Sequence, residues 1–243
     1  MVIRVKQQLI ILFFIYLPTL VSGQNDLPFR VGEKLTYDAS FNFITAGQAE
    51  LFVSSLDTIN TADVYHIIFS VKTNRIADRI YKIRDRVETW VDVKGLFTRK
   101  LKKKIREGRY RKKFQAMINY QDSVIVSNGD TIKVEKELRD PYSLLMYIRA
   151  TPFKVDDLFS FTTFDENEFT DFQVIVHQKQ KVKVPAGKFD CFVIEPFHPD
   201  RPLFKSKGDM TIWLSDDDRR LPVKIRSRAK FGSMVLKLRE VSP

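Results

Sequence analysis

Apolar and polar residues alternate with a period of two along most of this chain, the pattern of half-buried β-strands. The clearest stretch is 223–231. Val223, Ile225, Ala229 and Phe231 share one face with Ser227, while Lys224, Arg226, Arg228 and Lys230 share the other. Gly232-Ser233 marks a turn, after which Met234, Leu236 and Leu238 alternate with Val235, Lys237 and Arg239. The pair reads as a C-terminal hairpin with an apolar inner face and a basic outer face. Further strands are predicted at 34–43, 48–56, 64–73, 83–93, 96–105, 110–120, 123–126 and 131–135. The last group falls at 158–164, 169–178, 179–184, 189–197 and 210–214. Turn residues separate them: Thr45-Ala46-Gly47, Glu107-Gly108, Asn128-Gly129-Asp130 and Pro185-Ala186-Gly187. Asn-Gly is the strongest short hairpin signal among these.

Two segments break the alternation. Residues 74–81 read as a short helical turn or a loop insertion. Residues 140–150 read as a helix: Asp140 suits the N-cap, Pro141 the first helical position, and Leu144, Leu145, Tyr147 and Ile148 form an apolar stripe. Thr151-Pro152 ends it. One helix among so many strands predicts a mainly β fold, a strongly curved antiparallel sheet or incomplete β-barrel with one short helix packed on it. No repeat, low-complexity tract or long linker divides residues 24–243, so a single β-rich exported domain is expected there.

The first 23 residues follow a different logic. Arg4 and Lys6 precede an unbroken apolar run from Leu9 to Leu17, Pro18 interrupts it, and Val21-Ser22-Gly23 ends in small residues. That order is the pattern of a secretory signal peptide, and the run is short of the roughly 20 apolar residues of a membrane span. Residues 1–23 are therefore expected to be a leader, and the protein to be exported, periplasmic or extracellular. No cysteine follows the cleavage site, so a lipid anchor is not expected. The single cysteine, Cys191, lies in a strand-like run beside Phe192, as a small buried side chain does.

Charge narrows the partners. The formal net charge is +11, and +9 once Arg4 and Lys6 are set aside. Outside the cytoplasm such a balance points away from nucleic acid. It points toward anionic lipid headgroups, lipopolysaccharide or acidic polysaccharide, including peripheral contact with a membrane. The charge is densest between Lys94 and Lys113, where eleven Lys or Arg accompany one acid, Glu107. Read as a hairpin turning at Glu107-Gly108, this window puts Lys100, Lys102, Lys104 and Arg106 on one face, with Arg111 and Lys113 outward on the return strand. Phe97, Leu101 and Ile105 share the other face with Arg99 and Lys103. Like charges on neighbouring strands repel unless an anion neutralises them. Two readings stand: an anion-binding face, or a solvated basic edge that blocks unwanted sheet pairing.

Catalytic motifs are absent. The chain has no Gly-x-Ser-x-Gly elbow, no phosphate-binding glycine loop and no His-Glu-x-x-His. His66, His177 and His198 lack metal-ligand spacing, and no cofactor is expected. Asp165, Glu166, Glu168 and Asp171 lack the regular spacing of a calcium loop and read as a solvated turn. Asp216, Asp217 and Asp218 read as turn formers beside Arg219 and Arg220. Asp38, Glu88 and Asp92 are the scattered carboxylates that a polysaccharide-active enzyme would need to bring together.

Four local patterns together resemble one family. They are Gly32-Glu33-Lys34-Leu35-Thr36-Tyr37 followed by Ala46-Gly47, Asp140-Pro141-Tyr142-Ser143 with Met146-Tyr147-Ile148-Arg149, Val184-Pro185-Ala186-Gly187-Lys188-Phe189, and Trp213-Leu214-Ser215-Asp216 with Arg219-Arg220-Leu221-Pro222-Val223. The set is similar to the exported bacterial family called domain of unknown function 3108. A looser similarity is to periplasmic lipoprotein-carrier folds, in which a curved sheet wraps a helix and shelters an acyl chain. The resemblance implies an envelope protein dominated by antiparallel β-structure and brings no catalytic residues.

Arg149, Trp213, Arg219 and Arg220 lie in these motifs and join the candidate binding residues. Arg149 suits a helix C-terminus and has Glu33 as a possible strand partner. Trp213 faces away from Met210, Ile212 and Leu214, either covering the helix or lying at an opening. The expected function is a non-catalytic envelope binding or carrier protein for an amphipathic or anionic component. The alternatives are an interaction protein of an envelope assembly, with a protein partner, and an enzyme acting on polysaccharide.

Overall fold

The computed structural model describes residues 27–197, 210–229 and 232–243. The expected leader, His198, Lys230 and Phe231 lie outside the described residues. The described chain is a run of antiparallel strands interrupted once by a helix. The strands before the helix are β1 (Lys34–Phe41), β2 (Ile44–Ile59), β3 (Ala62–Thr73), β4 (Arg84–Asp92), β5 (Thr98–Glu107), β6 (Tyr110–Asn119), β7 (Val124–Ser127) and β8 (Asp130–Lys133). Then come α1 (Pro141–Ala150), β9 (Leu158–Asp165), β10 (Glu168–Val184), β11 (Gly187–Phe197), β12 (Met210–Ser215), β13 (Pro222–Ala229) and β14 (Gly232–Ser242). They form one sheet in the order β8-β7-β6-β5-β4-β3-β2-β1-β14-β13-β12-β11-β10-β9. Only the β1–β14 pairing is non-sequential, and it joins two meanders through the first and last strands. The sheet is strongly curved but does not close into a barrel.

Local chemistry explains the turns. Asn128 and Gly129 both take positive φ, +48° and +99°, as a two-residue hairpin turn requires. In the segment after β3, Asn74 Oδ1 accepts the N–H groups of Ile76 and Ala77 at 3.0 and 2.9 Å, and a single 3₁₀ turn follows at Ala77–Arg79. The predicted strands at 169–178 and 179–184 prove to be one strand, β10. Its register against β11 shifts between Val176 and Lys179, the mark of a β-bulge. The bulge explains the break in the pattern, because it changes which face each half buries. Phe172, Val174 and Val176 pack with Phe192 against the helix, whereas Val182 and Val184 join Cys191 and Trp213 in the central cluster.

Helix α1 has the predicted bounds. Asp140 caps it, accepting the N–H groups of Tyr142 and Ser143 at 2.8 and 3.3 Å. The cap is tied to the sheet as well: the hydroxyls of Thr89 and Thr98 each donate to Asp140 Oδ2 at 2.6 Å. Three apolar clusters surround the helix. Met146 joins the central one with Leu35, Tyr37, Leu51 and Leu238. Leu144 and Ile148 pack on β10–β12, and Phe114, Ile118 and Ile125 form a third cluster with Leu138 and Phe164.

The gap between the sheet edges is bridged by the linker that follows β8. The Leu138 carbonyl accepts the Thr98 N–H at 2.9 Å, and the Arg139 carbonyl accepts the Phe164 N–H at 3.0 Å. Lys103 from β5 reaches Asp165 and Glu166, and Lys112 from β6 reaches Glu166. The acidic turn at 165–166 therefore is not simply solvated. It supplies the counter-charges for basic side chains on the inner face of the β5–β6 hairpin.

Candidate functional site

The β5–β6 hairpin forms as the alternation predicts, and tertiary structure then sorts its cations. Of the eleven basic residues between Lys94 and Lys113, Arg99 pairs with Asp92 at 2.8 Å, while Lys103 and Lys112 pair across the sheet gap. Among the described residues, Lys100, Lys102, Lys104, Arg106, Arg111 and Lys113 have no carboxylate within ion-pair distance. They are the residues on the outer, convex face. Register makes the crowding specific: Lys104 stands opposite Arg86 on one side and Lys113 on the other, and Arg106 stands opposite Arg111. Directly opposed like charges cost stability.

Two features of this face were not legible in the chain. The first is Arg86, which the β4–β5 register brings into the basic row and which Glu88 holds through bonds of 3.0 and 3.3 Å. The second is Trp90. Its ring stacks on His66 with centroids 4.3 Å apart, its Nε1 donates to Asp57 at 3.0 Å, and the ammonium groups of Lys100 and Lys102 lie 4.6 and 5.7 Å from its centroid. Partial burial against this platform, together with the charge of Lys102, lowers the pKa of Lys100. Arg86, Glu88, Lys102, Lys104, Lys113 and Asn128 line a hollow of about 410 Å³ on this face.

The remaining candidates do not join that face. Arg149 is fully enclosed. Its Nη1 donates to Glu33 Oε1 at 2.7 Å, and its Nη2 donates to Glu33 Oε2 and to the carbonyls of Pro28 and Arg219 at 3.0–3.1 Å. The strand partner noted in the sequence is thus the one it takes. Trp213 is buried, donates Nε1 to Gln180 at 2.8 Å, and carries Lys224 over its ring at 4.4 Å. Arg220 lies over Phe153 and Phe192 at 4.4 and 4.7 Å, with a positive φ of 45°. Arg219 is exposed and stands 3.9 Å from Asp217. Arg149, Arg219 and Arg220, but not Trp213, line a hollow between the first and last described segments together with Arg30, Glu33 and Asp216.

An apolar slot of about 420 Å³ lies between α1 and β9–β12, lined by Leu144, Leu145, Ile148, Phe172 and Ile212. Its rim carries Lys112, Asp165 and Glu166, already engaged with one another and with Lys103. Asp38, Glu88 and Asp92 each hold a basic partner of their own: Arg239 at 2.6 Å, Arg86 at 3.0 Å and Arg99 at 2.8 Å. Nothing in these contacts draws the three carboxylates into a common cleft. His177 stands 3.2 Å from Glu195.

A curved antiparallel sheet around a capped helix, with a convex basic face, defines a mainly β class of protein. The chain belongs to the family Protein of unknown function (DUF3108), whose profile matches residues 36–239. Among solved structures it is similar to a beta-barrel-like protein of domain of unknown function DUF1849 from Brucella abortus. That likeness has a TM-score of 0.54 at 14% identity and covers 87% of this chain and 97% of the other. At that identity it speaks to the fold alone. A hypothetical protein from Chlamydia trachomatis matches with a TM-score of 0.36 at 8% identity over 87% of each chain, which is too loose to carry an argument. No curated protein matches the chain.

Proposed function

We propose that this protein is a non-catalytic binding protein of the bacterial cell envelope, exported by its first 23 residues. Its ligand is an anionic, amphipathic envelope component that bears phosphate groups. The observation that carries this reading is the row Arg86–Lys104–Lys113, flanked by Lys102, Arg106 and Arg111, on the convex face of β4–β6. Like charges opposed across three strands cost stability unless an anion neutralises them, and among the described residues only Arg86 of this row has a carboxylate partner, Glu88. A phosphate placed over the hollow turns that repulsion into attraction. Lysine ammonium groups act as mobile point charges and fit phosphate without demanding one orientation. The concave face, where a carrier would shelter an acyl chain, is packed by α1 and its three clusters apart from the slot of about 420 Å³ beside β9–β12. The reading therefore rests on the convex face and not on a lipid tunnel.

The test is binding of purified lipopolysaccharide, with a dephosphorylated preparation as control, across a range of salt. Each lysine near an anionic surface contributes about 1 kcal/mol. Lys102→Gln/Lys104→Gln/Lys113→Gln is thus expected to weaken binding by roughly 100-fold and to flatten its salt dependence. Equal binding by variant and wild type at low salt refutes the assignment.

A further inference from the structure

One end of the sheet carries a second, chemically different surface. The turn after β1, the segment after β3, the turn after β5 and the start of β14 all lie at this end, because the strands between them are antiparallel. They are pinned to one another. Asn42 N donates to the Ser233 carbonyl at 2.7 Å, Asn74 N to the Ala46 carbonyl at 2.8 Å, and Gly108 N to the Lys82 carbonyl at 2.8 Å. On this rim large apolar side chains point into water: Phe43 is fully exposed, Ile80 is 87% exposed, and Ile76 and Ile44 are about three-quarters exposed. Turn tips ordinarily hold Gly, Asn, Asp or Ser. Phe43 and Ile44 follow the one such residue, Asn42, and bury little of their surface against this fold. Ile76 and Ile80 sit on either side of the 3₁₀ turn, with Tyr81 next to them, also exposed.

Cations are interleaved with these tips. Arg75, Arg79, Lys82 and Arg109 are exposed on the same turns. Arg75 and Arg79 line an open hollow with Asn74 and Ile76. Asp78, within the same 3₁₀ turn as Arg79, is already bound by Arg84 at 2.6 Å. Separate protruding tips with arginines between them do not offer one continuous surface to a shaped protein partner. They fit a fluid interface, where each tip finds its own depth and each arginine meets a headgroup phosphate.

We propose that this rim docks the protein end-on to an anionic lipid bilayer, with Phe43, Ile44, Ile76 and Ile80 entering the boundary between headgroups and acyl chains and Arg75, Arg79 and Arg109 contacting phosphates. This surface uses other side chains than the lysine row, so either can fail without the other.

The experiment uses vesicles of phosphatidylcholine with about one-third phosphatidylglycerol. Each buried apolar tip contributes on the order of tenfold to partitioning. Phe43→Ser/Ile80→Ser is expected to lose roughly 100-fold in vesicle affinity while keeping its melting temperature and its lipopolysaccharide binding. Arg75→Gln/Arg79→Gln/Arg109→Gln is expected to lose the preference for anionic over neutral vesicles. A Phe43→Trp variant reports insertion directly, and its indole emission should shift to the blue and be quenched by brominated acyl chains. Unchanged vesicle affinity of Phe43→Ser/Ile80→Ser overturns the proposal, as does indole emission from the Phe43→Trp variant that stays aqueous on bound vesicles. Self-association that needs Phe43 and Ile80, in the absence of vesicle binding, also overturns it and assigns the rim to a second copy of the chain.

Discussion

Arg149 and Glu33 form the most consequential polar contact in the core, and their removal has a calculable cost. The Arg149 side chain has no exposed surface and that of Glu33 is 10% exposed. The two are joined by a fork of two hydrogen bonds, at 2.7 and 3.1 Å. Removing one partner of such a buried pair strands the other charge, at about 3–5 kcal/mol. For a domain of this size, 1 kcal/mol shifts the melting temperature by about 2–4 °C. Arg149→Leu and Glu33→Leu are each expected to lower it by roughly 6–20 °C. The double variant leaves no stranded charge. It still loses the bonds from Arg149 to the carbonyls of Pro28 and Arg219, so it should not recover fully. Urea denaturation of all four proteins closes the cycle, and a favourable coupling of at least about 2 kcal/mol is expected. Strictly additive single costs, or a cost below about 1 kcal/mol for Arg149→Leu, refute the view that this pair anchors the helix C-terminus to the start of β1.

Tyr37 lies beside that pair with its hydroxyl buried and without a hydrogen-bond partner, and burial raises its pKa. Tyr37→Phe should therefore be neutral or slightly stabilising in urea denaturation, and a loss above about 1 kcal/mol would reveal a bond that the geometry does not contain. Burial alone would raise the Asp92 carboxyl. The N–H of Gly95, the guanidinium of Arg99 and the N–H of Lys94 outweigh it and hold the pKa below the ordinary value. A depressed carboxylate contributes stability above its unfolded pKa, near 4, and that contribution is lost as pH falls through the folded value. The stability gap between wild type and Asp92→Asn should be constant from pH 7 to about 5 and shrink below about 4, as followed by melting temperature. A gap that widens on acidification contradicts this. The Cys191 thiol is pushed up to about 12, first by burial and then by Asp190, Asp217 and Asp216. Iodoacetamide at pH 8 should leave it unmodified in the native protein and alkylate it once urea unfolds the chain, with mass spectrometry as the readout.

The chain's own pattern determined most of the local structure. Period-two alternation located the strands, since a strand with one wet and one dry face must write that alternation into its sequence. Asp140-Pro141 set the helix start to the residue, because the cap and the first-turn position are chemical requirements of neighbours in sequence. The same logic put Lys100, Lys102, Lys104 and Arg106 on one face of β5.

Other features required strands to find each other. Whether a lysine faces an acid or another cation depends on register between strands, and an isolated alternation carries no register. Lys103 and Lys102 are neighbours in sequence, yet Lys103 meets Asp165 some sixty residues away while Lys102 meets Trp90. Arg149 stood among the candidate binding residues because it lies in a motif at the helix end, where a cation suits the last carbonyls. Closure of the sheet over α1 enclosed it with Glu33. The bulge in β10 likewise turned two apparent strands into one that serves two clusters. The exposed rim of Phe43, Ile76 and Ile80 escaped pattern reading for the opposite reason: the sequence shows that these side chains are apolar, and only packing shows that nothing in the described fold covers them.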